Sequence, residues 1–300
     1  MSYSAEITRR NPACIVFLLD RSESMAGVLV DDQIVRKADF IGELVNETLQ
    51  QLVIRCSKTE EVTNDYYVSA IGYGDSAEPV FDGWLSGRSV VPISEVAEHP
   101  AGVEMCIRGI PDGAGGLVER RVCSPAWIRL RPRGGRSMCE AFRLVRDTLE
   151  GWLSVHRTGF PPIVLHISGG ESSDGDPTRF GKNITTLSTD DGPVLLFNCY
   201  LSFHRNDPTI EYPADDSNLP DEFARMLLNI SSRLPNRFCE AAMRTGLNMA
   251  KGARGFVFNA YSAEVLRFLN IGAHPTTLHD PQARARSKPH APLHRGQRRS

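Results

Sequence analysis

A short apolar run is followed by three side chains that carry oxygen atoms, spaced two residues apart. The run spans residues 14–19 without a charged side chain, and Asp20, Ser22 and Ser24 come directly after it. An apolar run of this length is typical of a strand that is buried on both faces. An acid at the end of such a strand lies at the edge where open α/β sheets place their binding sites. Hard oxygen ligands suit Mg²⁺, or Mn²⁺ in its place, so these three side chains are candidate metal ligands.

Strand-like and helix-like segments alternate along the chain. Residues 31–55 carry apolar side chains at three- and four-residue spacing, which predicts a helix, and Asp31 or Asp32 is its candidate cap. The alternation predicts an α/β fold with a doubly wound, mostly parallel sheet flanked by helices. The other predicted strands are 66–73, 80–85, 162–168, 194–201 and 255–259, and the other predicted helices are 93–98, 134–152, 177–188, 220–232, 236–249 and 262–269.

One segment, residues 86–133, interrupts this alternation. Its central part predicts a β-hairpin, because two strand-like runs, 103–110 and 117–123, flank a turn rich in glycine. Cys106 and Cys123 lie at mirror positions about that turn. In one interpretation they face each other across the hairpin, and in the interpretation that we favour for a reducing compartment they are two thiols that only pack nearby. We expect the whole insertion to form a rim or lid beside the site at Asp20.

The composition limits the classes of function. Hydrophobic residues make up 41% of the chain and charged residues 23%, which is typical of a globular protein, and the net charge of −2 argues against binding of a polyanion. No apolar run is long enough to span a membrane. The polar N-terminus lacks the apolar core of a signal peptide, so we expect a cytoplasmic protein with seven free thiols.

The sequence predicts one folded domain with two flanking segments. Residues 13–272 hold all the predicted elements, preceded by an N-terminal extension at 1–12. The basic tail at 273–300 has almost no apolar residues after Leu278 and is expected to be disordered. We expect it to remain solvated and not to bind nucleic acid.

Other polar residues have simpler interpretations. His166 lies inside a predicted buried strand and is expected to be a hydrogen-bonded core residue. Cys139 and Cys199 are expected to be core thiols, and Asp176 to be a helix N-terminal acid. Since no nucleophile has a partner base, we expect no enzymatic activity. The alternative is a hydrolase or phosphatase-like enzyme that uses a metal at Asp20.

Five longer sequence motifs occur along the chain in addition to the loop at Asp20. They lie at 91–96, 112–119, 134–141, 170–177 and 252–260. Together with the Asp-x-Ser-x-Ser loop they resemble a bacterial, intracellular subgroup of von Willebrand factor type A (VWA) domains, over residues 13–272. The chain is similar to the tellurium-resistance type A proteins. This resemblance implies a protein-interaction module with a metal-ion-dependent adhesion site (MIDAS), in a stress or conflict system with a serine/threonine kinase and a phosphatase.

The resemblance also implies which residues complete the metal site. In the family a second loop supplies a threonine and a third loop supplies an aspartate. Here the threonine position is Arg136 and the aspartate position is Gly169. A guanidinium about 5 Å from a dication repels it by several kcal/mol even at an effective dielectric of about 20. We therefore expect a metal site that is weak or lost.

Two arrangements remain open at Asp20. In the first, Arg136 takes the place of the cation and pairs with Asp20, because a guanidinium fork suits a carboxylate. In the second, the Ser137 hydroxyl takes the threonine's place, and Glu171 or Asp174 supplies the missing acid.

Both arrangements predict a surface for a protein partner that presents an acidic side chain. With a metal, the partner's acid completes the shell of the ion. Without a metal, Arg136 receives that acid. The expected partner-binding residues are Arg136, Ser137, Gly169 and Glu171.

Overall fold

The computed structural model describes residues 3–30, 34–57, 61–111, 117–202 and 207–273. The strands are β1 (Ala13–Asp20), β2 (Val28–Val30), β3 (Ile34–Arg36), β4 (Tyr66–Tyr73), β5 (Ala77–Pro79), β6 (Val91–Pro92), β7 (Gly102–Pro111), β8 (Leu117–Ala126), β9 (Ile163–Ser168), β10 (Ser188–Thr189), β11 (Gly192–Pro193), β12 (Leu195–Tyr200), β13 (Ile210–Glu211) and β14 (Phe256–Phe258). The α-helices are α1 (Lys37–Cys56), α2 (Ile93–Glu98), α3 (Met138–Leu153), α4 (Thr178–Ile184), α5 (Glu222–Ile230), α6 (Asn236–Arg244) and α7 (Ser262–Ala273).

The central sheet has the strand order β13-β14-β12-β9-β1-β4-β5, and β6 also pairs with β4. The five inner strands from β14 to β4 are mutually parallel. The strands β5, β6 and β13 are antiparallel to their neighbours. This is the predicted doubly wound, mostly parallel α/β fold. It brings the carboxyl ends of β1, β4, β9 and β12 to one edge of the sheet.

Strand β1 divides the core into two layers. Its odd-numbered side chains, such as Phe17, pack with α1, α6 and α7 on one face of the sheet. Its even-numbered side chains, such as Val16, pack with α3 and α5 on the other face. All eight residues of the strand are buried, as the unbroken apolar run predicts. Because β1 is packed on both faces, its position in the sheet is fixed, and so is the position of Asp20 at its end.

The helix predicted over residues 31–55 begins later than expected. Ile34–Arg36 pair with Val28–Val30 as a small antiparallel sheet, and α1 begins only at Lys37. A single apolar residue such as Ile34 fits a strand as well as a helix, so the apolar periodicity of the sequence did not distinguish β3 from the start of α1. The candidate caps Asp31 and Asp32 lie outside the described residues.

The predicted edge strand at 80–85 is wrong. The strand in this region, β5, ends at Pro79, and Phe81 makes a single bridge to Ile128. Residues 83–85 form a 3₁₀ turn, in which Gly83 has a φ of 65°. A positive φ takes the backbone out of the extended region, which ends the pairing.

Most of the other predicted elements are confirmed. The strands predicted at 66–73, 162–168, 194–201 and 255–259 are present within one residue or two at their ends. The helices predicted at 177–188 and 236–249 are real but end early, at Ile184 and Arg244. The basic tail lies outside the described residues from residue 274 onward.

The predicted hairpin is present as β7 and β8, but its register differs from the expectation. Cys123 is opposite Met105, and Cys106 is opposite Val122, so the two cysteines are not a facing pair. A shift of one residue reverses the face of every side chain in a strand. The hairpin lies against α1, where the Ser124 hydroxyl donates a hydrogen bond to Gln50 Oε1 over 3.1 Å.

The N-terminal segment is held against the domain by contacts with Asp191 and Arg237. The backbone N–H groups of Ser4 and Ala5 donate to the carboxylate of Asp191, over 2.9 and 3.0 Å. Arg237 Nη1 donates to the carbonyl oxygens of Tyr3 and Ala5. Within the described part of the chain, every helix is too short or too polar to cross a lipid bilayer.

Candidate functional site

Asp20 lies at the end of β1, and its side chain is almost completely buried. The residue is 1% exposed. Its Oδ1 accepts a hydrogen bond from the Ser22 N–H over 2.8 Å, and its Oδ2 accepts one from the Gly169 N–H over 2.8 Å. A third bond, over 2.6 Å, comes from Arg136 Nε to the same Oδ2. A carboxylate this deeply buried needs such partners, because an unpaired charge is costly to remove from water.

The Arg136 guanidinium joins three loops at this edge of the sheet. Besides its bond to Asp20, Nη2 donates to the hydroxyls of Ser24 over 2.6 Å and Ser22 over 3.1 Å. Nη1 donates to the carbonyl oxygen of Glu171 over 2.8 Å. The first of the two open arrangements, in which Arg136 pairs with Asp20, is therefore the one observed. We call these five residues the arginine cluster: Asp20, Ser22, Ser24, Arg136 and Glu171.

Backbone hydrogen bonds hold the same loops together around the arginine. The Arg136 N–H donates to Ser173 Oγ over 2.7 Å, and the Ser173 N–H donates to the Arg136 carbonyl oxygen over 2.9 Å. The Glu23 N–H donates to the Gly134 carbonyl oxygen over 2.9 Å. Arg136 is thus held at both ends, by the hydrogen bonds of its backbone and by the acceptors of its guanidinium. The side chain of Arg136 is only 15% exposed.

Two glycines allow close packing around the cluster, Gly170 against the guanidinium and Gly169 against Met25 and Asp20. A Cβ atom at Gly170 would lie 2.8 Å from Arg136 Nη1 and 3.2 Å from its Cζ, which is too close for a real contact. A Cβ atom at Gly169 would lie 2.9 Å from Met25 Sδ and 3.4 Å from Asp20 Oδ2. Gly169 therefore contributes its N–H to Asp20, in the place where the sequence led us to note only a missing acid. The role of Gly170 was not foreseen, although a glycine pair after a buried strand is a signal of close backbone approach.

Ser137 and Asp174 do not contact Asp20, contrary to the second arrangement. The Ser137 hydroxyl is buried and has no hydrogen-bond partner among the described residues. The carboxylate of Asp174 accepts hydrogen bonds from the N–H groups of Cys139 and Glu140, both over 2.9 Å. Cys139 and Glu140 lie in the first turn of α3, so Asp174 caps that helix from a neighbouring loop.

Asp174 is held as an anion by its contacts. Burial alone raises the pKa of its carboxyl group, but the N–H groups of Cys139 and Glu140 and the hydroxyl of Ser172 outweigh that effect and lower it. The Ser172 hydroxyl donates to Oδ1 over 2.7 Å. The carboxylate of Glu171, by contrast, is exposed and makes no hydrogen bond to another described residue.

A second set of polar side chains lies inside the sheet, beside the arginine cluster. The Tyr73 hydroxyl and His166 Nε2 are 2.7 Å apart, and His166 Nδ1 and Asn198 Oδ1 are 2.7 Å apart. Asn198 Nδ2 donates to Ser231 Oγ over 2.8 Å. Because the amide oxygen can only accept, His166 donates from Nδ1 and accepts from Tyr73 at Nε2, as a neutral imidazole. We call these four residues the histidine network: Tyr73, His166, Asn198 and Ser231.

Burial explains the neutral imidazole. His166 has no exposed surface, and burial lowers its pKa from 6.5 to about 4, although Asn198 and Asp20 act in the opposite direction. The interpretation of His166 as a hydrogen-bonded core residue is confirmed. Cys199 is also a buried free thiol, as expected.

The arginine cluster does not fit a divalent cation. Asp20 is its only side-chain carboxylate that faces the centre, and guanidinium nitrogens of Arg136 already occupy its oxygens: Nε lies 2.6 Å from Asp20 Oδ2, and Nη2 lies 2.6 Å from Ser24 Oγ. Lys37 adds a second positive charge nearby: its pKa is lowered by burial and then by Arg136, and raised by Asp20. Across the described ranges, no group of three or more His, Cys, Asp or Glu side chains is arranged to hold a metal. The chemistry present is that of an internal ion pair.

Comparisons with solved structures return VWA domains. A von Willebrand factor type A protein from Catenulispora acidiphila matches with a TM-score of 0.47 and 12% identity, over 88% of this chain and 43% of that chain. The VWA domain of the type V pili tip protein Mfa5 from Porphyromonas gingivalis matches with a TM-score of 0.32 and 11% identity, over 56% of this chain and 40% of that chain. The PilB minor pilin from Streptococcus sanguinis matches with a TM-score of 0.31 and 12% identity, over 54% of this chain and 30% of that chain.

This chain therefore spans less than half the length of each of these proteins. No protein-family model and no curated protein matches its sequence. The α/β fold class rests on the sheet order and helix layers of the chain itself.

Proposed function

We propose that this chain is a VWA-type module that binds a protein partner through the loops at the carboxyl edge of its sheet, with Arg136 in the role of the metal ion. The observation that carries the proposal is the arginine cluster. One guanidinium holds three loops in a fixed arrangement, as an ion bound to the same oxygens would do. The recognition surface is then already formed before a partner arrives, which reduces the entropic cost of binding.

The electrostatics of the cluster favour a partner that presents an acid. A guanidinium has five N–H donors, and four contacts to described residues account for four of them. The remaining N–H belongs to Nη1. With Lys37 nearby, it offers a positively charged contact to an incoming Asp or Glu.

A binding module accounts for these residues better than an enzyme does. Both carboxylate oxygens of Asp20 are occupied by hydrogen bonds, so Asp20 is not available as a nucleophile or general base. The sequence resemblance supports a more specific setting. On that basis we place the module in the cytoplasm of a bacterium, in a stress or conflict pathway with a kinase or phosphatase as its partner.

A titration with Mn²⁺, followed by calorimetry, tests the metal-free part of the proposal. We expect no heat of binding from the wild-type chain at micromolar Mn²⁺. The double variant Arg136→Thr with Gly169→Asp restores the hydroxyl and the acid and should gain binding. A Cβ atom at Gly169 meets only the flexible end of Met25 closely, so the new side chain can be accommodated. Micromolar binding to the wild type at Asp20 would overturn the metal-free proposal.

Affinity capture from a bacterial extract tests the interaction surface. We expect the wild-type chain to retain the same partner in Mg²⁺ and in EDTA. The variant Glu171→Lys replaces a negative by a positive charge on an exposed side chain of the loop that Arg136 contacts, so it should retain more of an acidic partner than the wild type does. The matched control Asp147→Lys makes the same charge change on the exposed face of α3 and should retain it as the wild type does. Equal capture by both variants would contradict the assignment of this surface, whatever the metal titration shows.

A further inference from the structure

Two arginines outside the arginine cluster share a single carboxylate oxygen. Arg21 Nη2 and Arg133 Nη2 both donate to Oε1 of Glu78, over 2.5 and 2.9 Å. In the part of the chain that the structure describes, neither arginine forms an ion pair with a second acid. The three groups together therefore carry a net positive charge. We call Arg21, Glu78 and Arg133 the paired-arginine site.

The backbone of the paired-arginine site is fixed by the central sheet. The Arg21 N–H donates to the Tyr73 carbonyl oxygen, and the Arg133 N–H donates to the Arg21 carbonyl oxygen, both over 2.8 Å. Glu78 of β5 is opposite Gly72 of β4. The three charged side chains therefore begin from backbone positions that hydrogen bonds hold together.

Gly72 allows Arg21 to reach Glu78. A Cβ atom at Gly72 would lie 3.0 Å from Arg21 Cδ and 2.6 Å from Val80 Cγ1, and both distances are closer than such atoms normally pack. The stem of Arg21 thus lies directly over the glycine, and its side chain is only 7% exposed. Packing therefore holds the Arg21 guanidinium in its place beside Glu78.

Glu78 alone pairs Arg21 incompletely. The Nε of Arg21 is buried and has no hydrogen-bond partner among the described residues, and its Nη2 shares the Glu78 oxygen with Arg133. A buried cation is costly unless its charge and its N–H groups are compensated. Arg136, by contrast, donates to four acceptors. The paired-arginine site therefore has donors and positive charge that its own acid does not use.

The paired-arginine site is open to solvent on the side of Glu78 and Arg133. Their side chains are 46% and 52% exposed. The hydrogen bond from Arg21 lowers the pKa of Glu78 against the effect of desolvation, and the charges of both arginines lower it further, so Glu78 is ionised at neutral pH. Because Glu78 is half exposed, its carboxylate can rotate into water. The space between the two guanidinium groups then becomes accessible from outside.

We propose that Arg21 and Arg133 bind an external carboxylate, which displaces Glu78 from between the two guanidinium groups. The position of Glu78 shows that a carboxylate fits there. Glu78 presents one oxygen to both arginines, whereas an untethered carboxylate presents one oxygen to each guanidinium, the arrangement that favours strong pairing.

Two sources share this chemistry, a free small carboxylate and an Asp or Glu side chain of a partner protein. The inference does not depend on the role proposed for Arg136, because that side chain makes no contact used here.

An NMR titration of the full chain at pH 7, followed at the Nε–H signals of Arg21 and Arg133, tests the inference. The probes are propionate, as the free carboxylate, and the capped tripeptide Gly-Glu-Gly, as the side chain. We expect at least one of them to bind, and Arg133→Gln to weaken that binding at least tenfold. The control Arg129→Gln removes a similarly exposed arginine that has Glu104 to itself, and it should bind as the wild type does.

Removal of the internal carboxylate gives a second readout. Glu78→Gln should bind the same probe at least tenfold more tightly than the wild type does, because the competing acid is gone. The matched control Glu104→Gln frees only one guanidinium, that of Arg129, and should leave the affinity at Arg21 and Arg133 unchanged. Arg133→Gln alters a half-exposed side chain, so its comparison with the wild type decides the question even where Glu78→Gln is too unstable to titrate.

The comparison of probes also distinguishes the source of the ligand. Tighter binding of the tripeptide than of propionate indicates a site for a partner's side chain, and the reverse order indicates a small-molecule site. The uncharged analogue propionamide should not bind. Absence of binding by both carboxylates, equal affinity in Arg133→Gln and the wild type, no gain of affinity in folded Glu78→Gln, or tighter binding of inorganic phosphate than of either carboxylate would each overturn the proposal.

Discussion

The arginine cluster and the histidine network are two polar assemblies on neighbouring strands, and they satisfy their polar groups in opposite ways. The arginine cluster, at the sheet edge, uses a full ion pair between Arg136 and Asp20. The histidine network, inside the sheet, contains no charge: its imidazole is neutral and its hydrogen bonds run from hydroxyl to imidazole to amide. Backbone pairing brings the two together, since Asp20 is opposite Tyr73 in the sheet.

The difference teaches how depth determines the form of a polar group. Arg136 retains some contact with water, so its ion pair with Asp20 lies where solvent still reaches the guanidinium. His166 has none, and a charged imidazole at that depth would need a carboxylate in direct contact, whereas its two ring nitrogens contact the neutral side chains of Tyr73 and Asn198. The two assemblies should therefore be destabilised in different ways. Loss of the charge partner should destabilise the arginine cluster, and acid should destabilise the histidine network.

The largest effect is expected from Arg136→Met. This change leaves the buried carboxylate of Asp20 without its cation, which typically costs about 3–5 kcal/mol of folding free energy. Urea unfolding at pH 7 measures the loss. The control Arg146→Met removes an exposed i,i+4 pair with Glu150 and should cost less than about 1 kcal/mol.

A double variant makes that comparison stricter. Arg136→Met combined with Asp20→Asn removes both charges, and we expect it to recover part of the stability lost in the single variant. If Arg136→Met costs no more than the surface control, the ion pair does not hold the edge together and the contrast with the histidine network fails.

Acid should weaken the histidine network by a somewhat smaller amount. Burial lowers the pKa of His166 from 6.5 to about 4, so the unfolded chain takes up a proton at a higher pH than the folded chain does. The stabilisation is complete above pH 6.5 and is lost as the pH falls toward 4. The full shift corresponds to about 3 kcal/mol. Urea unfolding at a series of pH values should show this slope in the wild type.

The variant His166→Gln provides the comparison for the acid series. It is expected to be less stable at pH 7, because it disturbs the bonds to Tyr73 and Asn198. Its stability should nevertheless fall less steeply between pH 6.5 and 4. An unchanged slope would mean that other groups cause the acid sensitivity.

The smallest effect is expected at Asp174, an acid that is satisfied by a helix terminus instead of a cation. Asp174→Ala removes the cap from α3 and should cost about 1 kcal/mol in urea unfolding at pH 7. Because the pKa of Asp174 is lowered in the folded chain, its contribution is present above the ordinary value of 3.8 and is lost as the pH falls below it. The difference between variant and wild type should therefore shrink in acid. Asp147→Ala, an exposed control on the same helix, should change stability by less than about 0.5 kcal/mol at either pH.

Much of the fold could be predicted because apolar runs and apolar periodicity are local signals. The buried strand β1 contains an uninterrupted apolar run, β9 contains one that only His166 breaks, and the face of α3 repeats at helical spacing. The start of α1 and the hairpin register were not predictable in the same way. Both depend on which backbone groups pair across a turn, as Ile34 does with Val30, and single residues carry little information about such pairing.

The candidate site shows the same division between local and long-range information. Asp20 could be identified from the strand that precedes it, and comparison of loop motifs placed Arg136 beside it. The cap that Asp174 provides joins residues 35 positions apart and leaves no local pattern. Asp174 lies close before α4 in sequence, yet Asp176 occupies that role instead, with its Oδ1 accepting from the Thr178 N–H over 2.9 Å. The contact of α1 with the distant segment that begins at Trp127, which Asn46 anchors, is long-range in the same way.

The position of Arg136 in the chain has a further consequence. A bound ion leaves when its free concentration falls, and a chelator can remove it. A guanidinium that is covalently part of the chain has an effective concentration set by its tether, so dilution does not remove it and a chelator has nothing to extract. The ordering of the three loops therefore becomes independent of the metal supply. Under the proposed function, such a surface stays able to bind its partner across conditions in which an ion-dependent surface would not.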